Sequence, residues 1–394
     1  MQLNSIRQLK NLAGKRVLLR VDFNVPLSKD LVVDHHEDFR IAQTLPTIKY
    51  LLKKKAKVII VAHLGRPNGK VVEGLRLDPV AKRLAQLLGR EIYKIDVITG
   101  SAVVEQTFQL KDRDILMLEN VRFDAREEKS SVAFAKELAS LADIYVNDAF
   151  GVSHRNQASV STIQKYLPSY AGLLLEREIT NLYRTREKPK QPLVVIIGGA
   201  KISTKIKLIK SFLPTAKQIL LGGALANTVL RVHGVGVGKS LVEPGMFRHV
   251  KSIKLTDDQL RLPLDGVMAR SYTATTGRLD ALGDIKKNEV ILDIGPDTLH
   301  LYEKIIGHAK MVIWNGPMGL IETPAFAHGT EKLIRILARS RAEVIVGGGE
   351  TVGMIRKMKM EKKFSFISTG GGAMLEFLEG KDLPGLKRLI KNSL

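Results

Sequence analysis

Short apolar runs with no polar alternation recur along this chain, and they constrain its fold more than any other feature. RVLLRVDF (16–23), KVIIVAHL (57–64), DILMLENV (114–121) and DIYVNDAF (143–150) mark the first half. PLVVIIGGA (192–200), QILLGGA (218–224), MVIWNGP (311–317), EVIVGGG (343–349) and FSFISTGGG (364–372) mark the second. A strand that is apolar on both faces must be covered on both, the condition of a parallel sheet between helices. Each run leads through a turn into a longer stretch of helical spacing, the alternation of βαβ units. An α/β fold is expected, and ligands of such sheets sit beyond the carboxyl ends of the strands. Chemistry is to be sought just after each run.

At 394 residues the chain has room for two domains, each with its own core. Tyr170 to Tyr183 read as a helix, and the charged, proline-bearing stretch 185–192 suits a connection between lobes. The expectation is two doubly wound, Rossmann-like parallel-sheet domains joined by a hinge helix. Cysteine is absent, which excludes a disulfide framework and thiolate metal sites and fits a reducing compartment. No signal-peptide core precedes Arg20 and Asp22, and no run approaches the roughly 18 apolar residues that span a bilayer. A cytoplasmic protein is expected. Basic residues exceed acidic ones by 22, a field that draws in polyanions. Runs such as Lys53-Lys54-Lys55 read as solvated surface, and aromatics at 5% do not interleave with basic residues. Nucleic acid therefore ranks behind small anions as a partner.

In the first half the strand ends carry positive charge. Arg20-Val-Asp22-Phe-Asn24, His63-Leu64-Gly65-Arg66, Glu119-Asn-Val-Arg122 and the stretch from Asn147 to His154-Arg155 follow successive runs, and Arg40 opens a helical segment. On one sheet edge these would gather Arg40, His63, Arg66, Arg122, His154 and Arg155 around a compact polyanion. Asp22 and Asn24 would accept from its hydroxyl groups. No His/Glu spacing suggests zinc, and His35-His36 reads as a polar turn.

In the second half the strand ends carry glycine: Gly198-Gly199-Ala200-Lys201, Gly222-Gly223, Gly347-Gly348-Gly349-Glu350 and Gly370-Gly371-Gly372. Glycine admits a ligand close to the backbone, and a following helix offers unpaired N–H groups to anionic oxygens. One such loop could be a packing device, but four point to a nucleotide. Gly238-Lys239-Ser240 resembles the end of a Walker loop, yet His233 stands where its first glycine would be required. A dinucleotide fingerprint is missing as well.

Together these segments, with LPSYAGLLLE and STGGGAMLEFLEGKDLPG, resemble the phosphoglycerate kinase family, in the family's order from about residue 16 to 385. The resemblance implies a phosphoglycerate-binding domain over 1–172 and an interdomain helix and linker over 173–191. It implies a nucleotide-binding domain over 192–378 and a last segment, 379–394, packed back on the first domain. Asp22, Asn24, Arg40, His63, Leu64, Gly65, Arg66, Arg122, His154 and Arg155 would then hold 3-phosphoglycerate. Gly199, Ala200, Lys201, Lys205 and Gly223 would line the nucleotide, with Asn315, Pro317 and Glu322 at its adenosine. Gly348, Gly349, Glu350, Thr351 and Gly371 would meet its outer phosphates, and Glu350 the Mg²⁺. Arg40, Lys205, Gly349 and Gly372 would attend the phosphoryl group in flight. Three positions depart from the family pattern: Glu350 replaces an aspartate, Thr204 an acid before the second lysine, and Gln157 a second histidine.

The implied reaction is reversible transfer between 1,3-bisphosphoglycerate and ADP, with domain closure and no general base. A monomer without membrane attachment is expected. A two-lobed kinase for another acid, nucleic-acid binding and a catalytically inactive relative are the rival readings.

Overall fold

The structure, a computed structural model, describes residues 1–34, 37–253 and 259–391. The His35-His36 pair read as a turn lies outside them. Two compact units form, Met1–Tyr183 with Lys381–Leu394 and Arg184–Gly380.

Unit 1 is built on six strands: β1 (Arg16–Arg20), β2 (Lys57–Val61), β3 (Tyr93–Lys94), β4 (Ile115–Met117), β5 (Ile144–Asn147) and β6 (Ser169–Ala171). They are parallel throughout, in the order β3-β4-β2-β1-β5-β6. The apolar runs divide by residue parity. Val17, Leu19, Val58, Ile60, Ile115, Met117, Ile144 and Val146 enter one core, while Leu18, Ile59, Val61, Leu116 and Tyr145 enter the other. Helices α1 (Phe39–Lys53) and α2 (Asp78–Leu88) cover the first face through Ile41, Ile48, Val80 and Leu84. The opposite face is covered by α3 (Ser101–Gln109) and, beyond the short α4 (Ala125–Glu128), by α5 (Val132–Ser140), through Val103, Phe134 and Leu138. The inner strands β1, β2, β4 and β5 are buried on both faces, which is why they can dispense with polar alternation.

The helix expected from Tyr170 begins later. Tyr170 lies on β6 opposite Val146, and α6 runs from Leu173 to Glu187, past the start of the expected linker. Its start is fixed by Asp148, whose Oδ1 accepts from the backbone N–H groups of Leu174 (2.9 Å) and Leu175 (3.1 Å). The last segment returns to unit 1. Asn147 and Gln164 donate to the carbonyl of Gly385 at 3.0 and 2.8 Å, and Leu3 bridges Ile390.

Unit 2 repeats the plan with β7 (Leu193–Ile197), β8 (Gln218–Leu221), β9 (Leu260–Arg261), β13 (Met311–Asn315), β14 (Glu343–Gly347) and β15 (Phe366–Ile367), parallel in the order β15-β14-β13-β7-β8-β9. Between them the chain forms an antiparallel sheet of β10 (Asp265–Ala269), β11 (Arg278–Ala281) and β12 (Val290–Ile294), which the apolar runs did not announce. The helices are α7 (Ile206–Phe212), α8 (Gly223–Val232), α9 (Phe247–Lys251), α10 (Pro296–Gly307), α11 (His328–Arg339), α12 (Gly349–Lys357) and α13 (Gly372–Leu378). In each parallel sheet the strand order reverses beside the first strand of the unit, between β1 and β5 and between β7 and β13. Those are the positions where an open sheet leaves a crevice for a ligand.

No helix among the described residues is long and apolar enough to cross a membrane.

Candidate functional site

The carboxyl edge of the first sheet brings most of the expected cations together. Arg40, from the first turn of α1, reaches Asp22 at 3.1 Å and donates to the carbonyl of Asn24 at 3.1 Å. Asn24 in turn accepts from the Gly65 backbone N–H at 2.8 Å, and Arg122 donates to the Gly65 carbonyl at 2.8 Å. The loop of Leu64, Gly65 and Arg66 is thus held from two sides. Asn120 completes the clamp, accepting from Leu64 and Arg122 backbone N–H groups and donating to the Leu64 carbonyl.

His63 sits at the centre, buried, with its Nε2 3.9 Å from Asp22 and its Nδ1 3.3 Å from Arg20. Burial first, and then the fields of Arg20, Arg122, Arg40 and Arg155, hold its pKa well below the ordinary histidine value. At pH 7 the ring is neutral. Burial, with Arg155 and Arg20 next, also lowers the Arg122 pKa to about 10, so its guanidinium stays charged at pH 7. Cations crowd here at mutual electrostatic cost, and an anion would relieve it. His154 and Arg155 are half-buried on the turn after Val152. Arg66 is exposed, and among the described residues no hydrogen bond or ion pair ties it to this cluster.

Arg20 was read only as part of a strand. It is fully buried, donates to Ser159 Oγ at 2.9 Å, and Ser159 donates from N and Oγ to the buried Glu127 at 2.8 and 2.7 Å. This chain backs His63 from below. Its signal in the sequence was a charge inside an apolar run.

The second sheet edge is lined by backbone. Gly199, Ala200, Gly223, Pro317, Glu322 and Glu350 border one cavity of about 130 Å³, whose apolar walls include Leu282 and Ile291 from the antiparallel sheet region. The glycines fall into two kinds. A Cβ on Gly198 would stand 2.1 Å from the Pro317 carbonyl oxygen, and one on Gly223 2.7 Å from the Gly199 nitrogen. These let loops pack on one another. A Cβ on Gly199, Gly349 or Gly371 would meet nothing within 4 Å, so these border open space. Gly349 and Gly372 open α12 and α13, with Gly348 and Gly371 before them. Their N–H groups are the ones a helix start leaves without intrahelical partners.

Lys205 donates to Asn315 Oδ1. Desolvation lowers its pKa to about 8, against the opposing pull of Glu350 and then Glu379. Asn315 Nδ2 is buried without a partner beside Gly348, and so is Thr351 Oγ1. Both are polar atoms that an incoming phosphate or its metal could satisfy. Lys201 is exposed and touches none of these groups. Thr204 turns back to the Lys201 carbonyl at 2.9 Å, and the neighbouring Ser203 is capped by Glu243 at 2.6 Å. The acids around Lys205 are therefore Glu350 and Glu379, the second missed in the sequence. Gln157 is buried in unit 1 with its Oε1 unpaired.

Glu350 is exposed in the first turn of α12, one carboxylate beside Thr351 and open glycines. One carboxylate plus phosphate oxygens is how Mg²⁺ is commonly held, so the donor set fits that ion. Among the described residues, the one cluster with metal-like spacing is Asp78, Asp96 and Glu119. Lys94 already fills it, 3.0 Å from Asp78 and 2.7 Å from Glu119. Gly238-Lys239-Ser240 opens no helix: Lys239 N–H donates to the Glu289 carbonyl and Ser240 Oγ accepts from Ile291.

Comparison with known proteins agrees across the whole chain. The phosphoglycerate kinase family model matches residues 6–381. The phosphoglycerate kinase of Dictyoglomus turgidum is 46% identical over 384 residues, covering 96% of each chain. That of Moorella thermoacetica is 47% identical over 385 residues, covering 96% of this chain and 97% of its own. Among solved structures, phosphoglycerate kinase from Coxiella burnetii superposes with a TM-score of 0.84 at 37% identity, over 98% of this chain and 99% of that one. The enzyme from Pyrococcus horikoshii gives 0.88 at 31% identity, over 98% of both. The chain belongs to the phosphoglycerate kinase family.

Proposed function

We propose that the chain catalyses reversible phosphoryl transfer from 1,3-bisphosphoglycerate to ADP, giving 3-phosphoglycerate and ATP, with Mg²⁺, in glycolysis and its reverse. The observation that carries this reading is the group of Arg20, Arg40, Arg122 and Arg155 around a neutral His63 at one sheet edge. A set of four guanidiniums around one ring suits a small ligand with several anionic oxygens. Arg40, Arg122, Arg155, Arg66 and His154 bind it, with His63, Asp22 and Asn24 at its hydroxyl and carboxyl groups and the Leu64-Gly65 backbone beside them.

The nucleotide belongs to unit 2. Its base enters the apolar cavity beside Gly199, Ala200, Gly223 and Pro317, Glu322 takes the ribose, and Lys201 flanks the phosphate chain. Lys205 and the amides of Gly348, Gly349, Gly371 and Gly372 receive the outer phosphates, and Asn315, expected at the adenosine, joins them because it is bonded to Lys205.

In the forward direction the bond from the transferring phosphorus to the carboxylate oxygen breaks, and a bond to a terminal oxygen of ADP forms. Both the leaving carboxylate and the attacking phosphate are ionised at pH 7, so no proton moves. A histidine held neutral by its surroundings is compatible with that chemistry, because it orients without acting as an acid. The chain supplies positive field: Arg40 on the side of the acid, Lys205 and glycine amides on the side of the nucleotide. Glu350 and Thr351 would hold Mg²⁺ together with the phosphates, and the ion would supply charge neutralisation at the phosphate oxygens. The protein works in this reading as a cytoplasmic monomer.

The test is ATP formation from ADP, Mg²⁺ and 1,3-bisphosphoglycerate, with acetyl phosphate as the competing donor. ATP should appear from the first donor in step with 3-phosphoglycerate. ATP from acetyl phosphate alone would assign the chain to another acid.

A further inference from the structure

Sharing only Ile294 with the cavity described above, an open groove of about 700 Å³ lies in unit 2 between α10, α11 and the antiparallel sheet. Its floor is apolar: Val267, Leu279, Ile294, Leu299 and Ile336. Leu279 is 53% exposed, a large apolar side chain left in water on a strand. One wall is a line of basic residues, His328, Lys332, Arg335 and Arg339, on the exposed face of α11. Their spacing of four, three and four residues keeps them in one stripe along the helix. Among the described residues, Lys332, Arg335 and Arg339 pair with no carboxylate, while His328 lies 3.8 Å from Glu331. Glu303 is the single acid on the lining.

A cationic stripe over bare surface would be an ordinary solvated face. Here it borders an apolar trough, and the two together define what fits. The charge selects an anionic partner. The floor is aliphatic, and the only aromatic rings on the lining are the exposed imidazoles of His300 and His328, so nucleobases find little to stack on. An aliphatic floor with a cationic rim complements an amphipathic helix bearing leucine-like residues on one face and carboxylates on the other. From His328 to Arg339, eleven steps along the helix, the stripe is about 16 Å long, or three helical turns.

We propose that this groove docks an acidic amphipathic helix of another protein, about three turns long. Leu279 and Ile336 receive its apolar face, and Lys332, Arg335 and Arg339 face its carboxylates. The excess of 22 positive charges on the chain speeds the encounter.

The test is fluorescence anisotropy in about 0.1 M salt, where fields of distant charges are screened. The probe is a labelled helical peptide of about three turns, glutamate on one face and leucine on the other. Saturable binding is expected, weakened about tenfold or more by K332E/R335E/R339E and less by the milder R335E/R339E. Leu279→Ser should weaken it several-fold with the charges intact, about 1 kcal/mol of lost apolar contact. All three variants should retain ATP-forming activity within about twofold, since none touches either ligand site, and that activity also certifies the fold. Three results would overturn the proposal: equal binding of a peptide with serine in place of leucine, tighter binding of an oligothymidylate of the same charge, or affinity unchanged in the charge-reversed variants.

Discussion

The two sheets, each of six parallel strands with a crevice beside the first strand of its unit, differ in strand order and in what they place at that edge. Unit 1 ends its strands in side chains, converging Arg20, Arg40, Arg122 and Arg155 on His63. Unit 2 ends them in glycine, leaving backbone to line the cavity beside Lys205. Side chains can be arranged to one small molecule's shape, whereas backbone amides recognise phosphate oxygens of any owner. In the proposed reading, a specific acid on one sheet and a common nucleotide on the other call for these two solutions. The same frame serves both because the crevice comes from strand order, not from residue type.

The contrast can be broken at single residues. Arg40→Ala should cut kcat by about 10²–10³-fold while raising the phosphoglycerate KM far less, because its bond tightens in the transition state. Steady-state kinetics in both directions checks this, and an equal loss confined to KM would remove Arg40 from the transfer step. Next come the two kinds of glycine. Gly198→Ala places a methyl against the Pro317 carbonyl and should cost unit 2 about 3 kcal/mol or more. Gly349→Ala opens onto space at a helix start, so its melting temperature should hold while ADP affinity falls. Thermal melts and calorimetry on both variants separate packing from ligand approach.

The pH dependence of ADP binding should be smaller. Lys205 has a pKa of about 8 in the free protein and must be protonated to attract phosphate. Affinity should therefore be level below pH 8 and fall about tenfold per pH unit above it, with proton uptake on binding. Lys205→Met should flatten that fall. The smallest change expected is Glu350→Asp. The shorter side chain has one fewer rotor to order, so half-saturating Mg²⁺ should drop about threefold. A rise would mean that the longer reach of Glu350 suits the metal's position.

Much of the frame was legible because burial on both faces leaves a plain mark. Each of the apolar runs became a strand of a parallel sheet. The edge strands β3, β6 and β9 escaped because each is short and carries a polar residue, as in Tyr93-Lys94, Ser169-Tyr-Ala and Leu260-Arg261, so no apolar run marks them. The antiparallel sheet escaped for another reason: β11, Arg278-Leu-Asp-Ala, is largely exposed and reads as a loop. Candidate residues could be picked out where they follow a run, as with His63 and Arg122, whereas Lys205 came from the family resemblance alone. Arg20 and Glu379 were not, since their meaning depends on partners far away in sequence, Ser159 and His63 for one and Lys205 for the other. The glycine loops were legible as a set, but only three-dimensional packing tells Gly198 from Gly349.

The division of labour itself is open to one direct measurement, amide hydrogen exchange with each ligand alone. With 3-phosphoglycerate, protection should rise in the segments around Asp22, Leu64–Arg66 and Arg122. With ADP it should rise around Gly199–Lys205 and Gly348–Thr351. Protection by either ligand of the other set alone would contradict the assignment of guanidiniums to the acid and glycine amides to the nucleotide.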